Sequence, residues 1–190
     1  MPNKLKKNYA FIDGQNLYLG TRAAGLDLDY KKLRIYLKEK YNVEKAYLFI
    51  GYIPENQDLY AELQEQGYLL KFKPVLPARN GMKPKGDIDA DLAFSVMRYY
   101  KEYDGAVLIT SDGDFDTVVR YLRKKSKLSA VISPNKDKCS ALLKKAAQDK
   151  IQFLEEVGEK ILKTNEDVFI VKTENEKAPL GDETQSSAFS

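Results

Sequence analysis

The chain has 190 residues, with 31 lysines and arginines against 28 aspartates and glutamates, for a formal net charge of +3 at pH 7. Cys139 is the only cysteine and histidine is absent, which excludes disulfide frameworks, zinc fingers and the Ser-His-Asp and Cys-His catalytic sites. Acid–base chemistry is therefore left to carboxylates, lysines, tyrosines or a bound metal. The charge balance is too even to indicate a polyanionic partner by itself.

The sequence also lacks the signals for a membrane or an exported protein. No run approaches the roughly 18 apolar residues of a membrane span. The lead from Met1 to Asn8 is too short to hold the apolar region and cleavage site of a signal peptide. We therefore expect a cytoplasmic protein with no membrane partner.

Short apolar runs alternate with longer amphipathic stretches along the chain, as expected of βαβ units. In chain order, the runs predict strands at Tyr9 to Ile12, Ala46 to Tyr52, Tyr68 to Val75, Ala106 to Thr110 and Ser129 to Ile132, with a sixth short strand at Ile151 to Leu154. Apolar residues at helical spacing predict helices at Leu28 to Lys40, Asn56 to Gln66, Asp89 to Tyr103, Asp114 to Lys125 and Asp137 to Gln148. The pattern predicts a three-layer α/β/α sandwich with a mostly parallel central sheet of five or six strands.

The sequence also predicts which helix face is buried and where the domain ends. In the helix at Asp89 to Tyr103, one face carries Leu92, Val96, Met97 and Tyr100 and should pack on the sheet. Residues 1–163 are predicted to form one domain, and residues 164–190 a polar and largely disordered tail, in which Asp167 to Lys172 could form an edge strand.

Aspartates follow two of the predicted strands. Asp13 comes directly after the first strand, and Asp112 lies two residues after the fourth. Both should project at the sheet edge where open α/β folds bind ligands. Two further groups lie nearby in the sequence: Asp87, Asp89 and Asp91 around one helix start, and Asp114 and Asp116 just after Asp112. Asp112 and Asp116 share a face if their helix begins early enough.

Such a cluster requires a cation, because close carboxylates repel and raise one another's pKa. Oxygen ligands without histidine or cysteine favour Mg²⁺ or Mn²⁺ over zinc. Such an ion can activate water and neutralise a scissile phosphate, which is the chemistry of phosphodiester hydrolysis. Any single aspartate here is more often a turn former or helix N-cap. Turn chemistry does not require acids at the ends of several strands, however, so the groups together favour a metal site.

Three motifs resemble the NYN domain family, and specifically its LabA-like branch within the PIN-like nuclease superfamily. They are Phe11-Ile12-Asp13-Gly14-Gln15-Asn16, then Lys85-Gly86 followed by Asp89-Ala90-Asp91-Leu92-Ala93, and Thr110-Ser111-Asp112-Gly113-Asp114-Phe115. The resemblance spans residues 9 to about 153. It implies a PIN-like fold and a metal-dependent endoribonuclease that uses Mg²⁺ or Mn²⁺ on RNA, most simply single-stranded RNA.

The resemblance also implies roles for particular residues. Asp13, Asp89 and Asp112 would form the acidic metal site, with Asp116 or Asp114 as a fourth member. The spacing after Lys85-Gly86 admits Asp87 or Asp89, and we prefer Asp89 because the residues after it reproduce the family's helix start. Asn16 would orient a ligand or a substrate phosphate. Thr110 and Ser111 would lie near the phosphate, although Ser111 can equally be a turn hydroxyl.

Further residues are candidates for contact with nucleic acid. The segment Leu76 to Gly86 reads as a mobile basic loop, in which Arg79, Lys83 and Lys85 could guide a phosphate backbone to the metal. Tyr18 could stack on an unpaired base near the cleft. By contrast, the cations of Arg120 to Lys127 are typical of a helix C-terminus, and Tyr99, Tyr100 and Tyr103 are typical of core or interface packing.

Three other functions stay open at this point. A nuclease acting on DNA uses the same chemistry, because nothing in the sequence identifies a reader of the 2′-hydroxyl. A regulatory RNA-binding or protein-interaction module with an acidic pocket and little turnover is compatible with the same fold. A phosphatase with an aspartyl nucleophile is weaker, since no second acid lies two residues after Asp13. A homo-oligomer is also possible.

Overall fold

The computed structural model describes residues 6–74 and 88–164. The basic loop Leu76 to Gly86 and the possible edge strand Asp167 to Lys172 lie outside the described residues. So do the final residue of the third predicted strand and all of the predicted tail except Thr164.

A six-stranded sheet forms the centre of the domain, and every neighbouring pair of strands is parallel. The strand order is β3-β2-β1-β4-β5-β6. All six strands predicted from the sequence are present, with bounds that differ by a few residues: β1 Asn8–Asp13, β2 Val43–Tyr52, β3 Tyr68–Pro74, β4 Gly105–Ile109, β5 Leu128–Ser133 and β6 Ile151–Phe153.

The described residues contain six α-helices, of which five were predicted. The helices are α1 Gly14–Ala23, α2 Tyr30–Tyr41, α3 Gln57–Glu65, α4 Ile88–Arg98, α5 Asp116–Lys124 and α6 Ala141–Ala147. Helix α1 was not predicted. Its N-cap is Asp13, whose carboxylate accepts a hydrogen bond from the backbone N–H of Asn16 at 3.0 Å.

Two predicted helices are shorter than the sequence indicated by four or more residues. Helix α4 ends at Arg98 rather than Tyr103, because the following residues tighten into a turn with N–H to carbonyl bonds such as Glu102 to Tyr99 at 2.8 Å. Helix α6 begins after Ser140, whose hydroxyl caps it, rather than at Asp137.

The apolar residues separate into one cluster on each face of the sheet, so the predicted three-layer sandwich is confirmed. Helices α4, α5 and α6 pack on one face through Leu92, Val119 and Leu143. Helices α1, α2 and α3 pack on the other face through Leu17, Leu33, Leu37 and Leu63. No helix in the described part of the chain is long and apolar enough to cross a membrane.

The packing of α4 and of the nearby tyrosines matches the sequence expectation except at one position. Leu92 and Val96 are fully buried, and Tyr100 packs against the core, but Met97 is 42% exposed. Tyr103 is buried in the core, as predicted. Met97 was therefore wrongly placed on the sheet-facing side of the helix.

The strand order creates one crevice. The chain passes outward from β1 to β2 and β3 on one side, and from β4 to β5 and β6 on the other. At the carboxyl ends of β1 and β4 the connections therefore diverge to opposite faces of the sheet, which is where open parallel sheets bind ligands.

Candidate metal centre

A cleft of about 750 Å³ opens at the carboxyl ends of β1 and β4. Four aspartates line it, together with polar and small residues from α1, the turn after β4 and the start of α6. The lining residues are Asp13, Gln15, Asn16, Leu19, Gly20, Ala23, Asp89, Ser111, Asp112, Gly113, Asp114, Lys138, Ser140 and Leu142.

Three of these carboxylates converge closely enough to share one ion. Single oxygen atoms of Asp89, Asp112 and Asp114 all lie within 4.8 Å of one another. Asp89 comes from the first turn of α4, whereas Asp112 and Asp114 come from the turn between β4 and α5. The Asp112 carboxylate also accepts a hydrogen bond from the Asp114 N–H at 3.0 Å, which fixes the turn that presents both acids.

Asp13 lies beside this group and is only 6% exposed. The pKa of its carboxyl is raised from 3.8 to about 6, chiefly by burial and also by the negative charges of Asp89 and Asp112. The hydrogen bonds from the Asn16 N–H and the Thr110 hydroxyl partly offset these effects by favouring the charged form. A buried acid that faces two other acids is electrostatically unfavourable unless a cation joins them.

The residues of the cleft fit a hard divalent cation. The converging ligand atoms are carboxylate oxygens alone, which suit Mg²⁺ or Mn²⁺. The three carboxylates differ in exposure: Asp114 is exposed, whereas Asp89 and Asp112 are partly buried. An ion held there would offset the repulsion among the acids, which adds to the effect of burial on the pKa of Asp13.

A side chain of α1 joins the two strand ends that form the site. The Asn16 side-chain oxygen accepts a hydrogen bond from the Ser111 N–H at 2.8 Å, across 95 positions of sequence. The Ser111 hydroxyl pairs with that of Ser133 at 2.8 Å, and the Thr110 hydroxyl accepts from the Asp112 N–H at 3.1 Å. Asn16, Thr110 and Ser111 therefore hold the loops that carry Asp13 and Asp112 in fixed register.

The other candidate acids point to different partners. Asp116 pairs with Arg120 at 2.8 Å and does not line the cleft, and it does not share a helix face with Asp112 because α5 begins only at Asp116. Asp91 lies 3.7 Å from the Lys73 ammonium. The structure thus brings Asp89 and Asp114 to the cleft in place of Asp91 and Asp116.

Tyr18 lies on α1 but does not line the cleft. Its hydroxyl accepts a hydrogen bond from Arg22 at 2.7 Å, and it faces a separate depression beside Tyr30 and Lys163. Four other candidates, Arg79, Lys83, Lys85 and Asp87, lie outside the described residues.

Several lining residues were not singled out from the sequence. Lys138 is the one cation among the described residues of the cleft wall, and Leu19 and Leu142 expose apolar side chains there. In the sequence, Lys138 is one of a group of lysines that also contains Lys136, Lys144 and Lys145. No local signal distinguished it, because its position depends on how the loop before α6 folds back towards β4.

Comparisons with known proteins identify the family. The NYN domain family matches residues 8–155. Low amplitude and bright protein LabA from Synechococcus elongatus is 26% identical over 132 residues, which cover 65% of this chain and 71% of that protein.

Among solved structures, a protein of unknown function from Vibrio parahaemolyticus superposes with a TM-score of 0.68 at 21% identity, covering 86% of this chain and 100% of that one, and so shares the fold. T5 5′-exonuclease with bound zinc ions is more distant, with a TM-score of 0.42 at 15% identity over 70% of this chain and 56% of that one. The family match covers most of the described fold and all four acids of the cleft, and the chain belongs to the NYN domain family, in its LabA-like branch.

Proposed function

We propose that the protein is a metal-dependent nuclease that hydrolyses phosphodiester bonds in RNA with Mg²⁺ or Mn²⁺. One observation carries the proposal: three carboxylates from two separate elements converge within 4.8 Å, beside the buried acid Asp13. Membership of the NYN domain family, which belongs to a nuclease superfamily, supports a nucleic acid as the substrate.

The residues of the cleft divide the work. Asp89, Asp112 and Asp114 would hold the ion, and Asp13 would add a fourth negative charge from the end of the neighbouring strand β1. When bound, a divalent ion neutralises charge on a scissile phosphate and makes water a better nucleophile. Lys138 lies on the same cleft wall and can attract the phosphate backbone.

A cleavage assay tests the proposal. Labelled single-stranded RNA and DNA of the same sequence are incubated with the protein in Mg²⁺, in Mn²⁺ or in EDTA. We expect metal-dependent cleavage of RNA, and loss of cleavage to background in Asp89→Asn and Asp112→Asn. Asp91→Asn and Asp116→Asn are matched controls, because these acids lie on the same two segments but pair with Lys73 and Arg120 instead.

The outcomes separate the competing functions. Cleavage that persists in both cleft variants would reject the site, and faster cleavage of DNA would reject RNA as the preferred substrate. RNA binding with no cleavage in any metal would favour a regulatory binding module instead. Release of phosphate from small esters would favour a phosphatase.

A further inference from the structure

A second groove, of about 330 Å³, lies between α4 and the edge strand β3. In the described part of the chain, helix α4 packs mainly on β1 and β2 and lies beside β3. Lys71 and Lys73 of β3 form one wall of the groove, and Asp91, Phe94 and Arg98 of α4 form the other. Residues 91, 94 and 98 recur at helical spacing, so they form one continuous stripe along α4.

The groove exposes aromatic surface. Phe94 is 65% exposed, which is the largest exposed fraction among the large hydrophobic residues described, and nothing in the core requires an aromatic ring there. Tyr99 lines the groove nearby and stacks on Tyr47, with ring centroids 4.8 Å apart and planes 6° from parallel. An exposed ring beside a rigid aromatic pair is a surface on which a flat ligand can stack.

The groove is also cationic. Lys73 pairs with Asp91, but within residues 6–74 and 88–164 neither Lys71 nor Arg98 forms an ion pair. These two side chains instead lie over tyrosine rings, Lys71 at 5.5 Å from the Tyr47 centroid and Arg98 at 5.8 Å from that of Tyr99. Contact with a ring does not neutralise their charge, so the groove offers two cations to an anionic ligand.

The groove and the acidic cleft share helix α4. Asp89 belongs to the cleft, and Phe94 lies five residues further along the same helix, a rise of about 7.5 Å and a turn of about 140° around the helix axis. Arg98 lies about one further turn away. A chain molecule that leaves the cleft and passes around α4 would therefore meet the aromatic ring first and the arginine next.

We propose that this groove binds single-stranded nucleic acid next to the cleft, with Phe94 stacking on an unpaired base and Lys71 and Arg98 contacting phosphates. The inference rests on the proposed function for the identity of the ligand. Alternating exposed rings and cations fit a strand with accessible bases, because a duplex hides the base faces on which Phe94 would stack.

Binding in EDTA tests the groove without cleavage. The affinity of the full chain for a fluorescein-labelled oligoadenylate is measured by anisotropy over a range of salt concentrations. We expect Phe94→Ala to weaken binding about fivefold or more with an unchanged salt dependence, since stacking is lost. Lys71→Ala and Arg98→Ala should each lower the slope of log affinity against log salt by about 0.7.

Two variants serve as matched controls. Met97→Ala removes another exposed apolar side chain of α4 and Lys101→Ala removes a nearby cation, and neither residue lines the groove. Both should bind oligoadenylate as the wild type does. Groove variants that bind as tightly as the wild type, or Phe94→Ala that changes only a dimer into a monomer in sedimentation, would overturn the proposal.

The readouts also keep the groove and the nuclease apart. Loss of metal-dependent cleavage in Asp112→Asn, together with normal oligoadenylate binding by the groove variants, would reject the groove and keep the nuclease. Weakened binding by the groove variants in a protein that cleaves nothing would keep the groove and reject the nuclease.

Discussion

Asp13 illustrates a conflict between stability and function at a single residue. Its folded-state pKa of about 6 exceeds its ordinary value of 3.8, so the folded protein disfavours the charged carboxylate. Above pH 6 this difference lowers the free energy of unfolding by about 3 kcal/mol at most. The destabilisation disappears as the pH falls from about 6 towards 3.8, where the folded state binds the proton more readily than the unfolded chain.

Asp13→Asn should therefore stabilise the metal-free protein while it abolishes cleavage. Asparagine keeps an oxygen that can cap α1, but it removes the buried charge. We expect urea denaturation in EDTA to show a gain of about 1 to 3 kcal/mol at pH 7.5 and little gain near pH 4. Asp91→Asn, an exposed acid outside the cleft, should show no gain. An equal stability of Asp13→Asn and wild type at pH 7.5 would contradict the argument.

Asn16 supports the site through a hydrogen bond to the backbone of the strand end that carries Asp112. Its side-chain oxygen accepts from the Ser111 N–H, which lies in a buried position. Asn16→Ala leaves that donor without its partner, which should cost about 1 to 3 kcal/mol and loosen the loop before Asp112. The free energy of unfolding in urea and the cleavage rate should both fall. Gln15→Ala, at the neighbouring exposed position, should change the free energy of unfolding by less than about 0.5 kcal/mol. A stable and fully active Asn16→Ala would show that the bridge is dispensable.

At the scale of elements, the strands were predictable and one helix was not. Strands β1 and β4 are buried on both faces of the sheet, so each appears in the sequence as a nearly continuous apolar run. Helix α1 has little apolar periodicity and contains Gly14 and Gly20. It forms because Asp13 caps it locally and because its Leu17 packs in the core, and the second of these is a tertiary contact that local propensity does not register.

The candidate site was likewise predictable in part. Asp13 and Asp112 were predictable because parallel strands bring their carboxyl ends to one edge. The choice of Asp114 over Asp116 was not, since it depends on the short 3₁₀ turn Gly113–Phe115 that separates Asp112 from α5. That turn presents Asp114 to the cleft and leaves Asp116 at the helix start, within reach of Arg120.

Helix α1 approaches the sheet so closely at Gly14 that a side chain there would clash with β2. A Cβ atom at this position would lie 2.4 Å from Cγ2 of Ile50 and 2.7 Å from the backbone oxygen of Phe49. Gly14→Ala should therefore push the start of α1 away from β2, cost about 1 to 3 kcal/mol and shift both Asp13 and Asn16. The free energy of unfolding measured in urea and the affinity for Mn²⁺ should both fall. Unchanged values for both would mean that the sheet edge yields without disturbing the site.

At the scale of the whole molecule, the family match ends at residue 155, but the segment after it still packs against the domain. Ile161 is fully buried, and its carbonyl accepts from the Asp29 N–H at 2.9 Å just before α2. Leu162 forms an antiparallel bridge with Leu28, and the Lys163 N–H donates to Asp27 at 3.0 Å. These contacts close the domain against α2 on the face opposite α4.

Two truncations test where the domain ends. We propose that it ends near Lys163, so a chain that stops at Thr164 should keep the wild-type free energy of unfolding and cleavage rate. A chain that stops at Val157 loses Ile161 and its hydrogen bond to Asp29, and should lose about 2 to 5 kcal/mol of stability in urea denaturation. Equal stability of the two truncations would place the boundary at the family match instead. A large loss in the longer one would show that residues after Thr164 contribute to the fold.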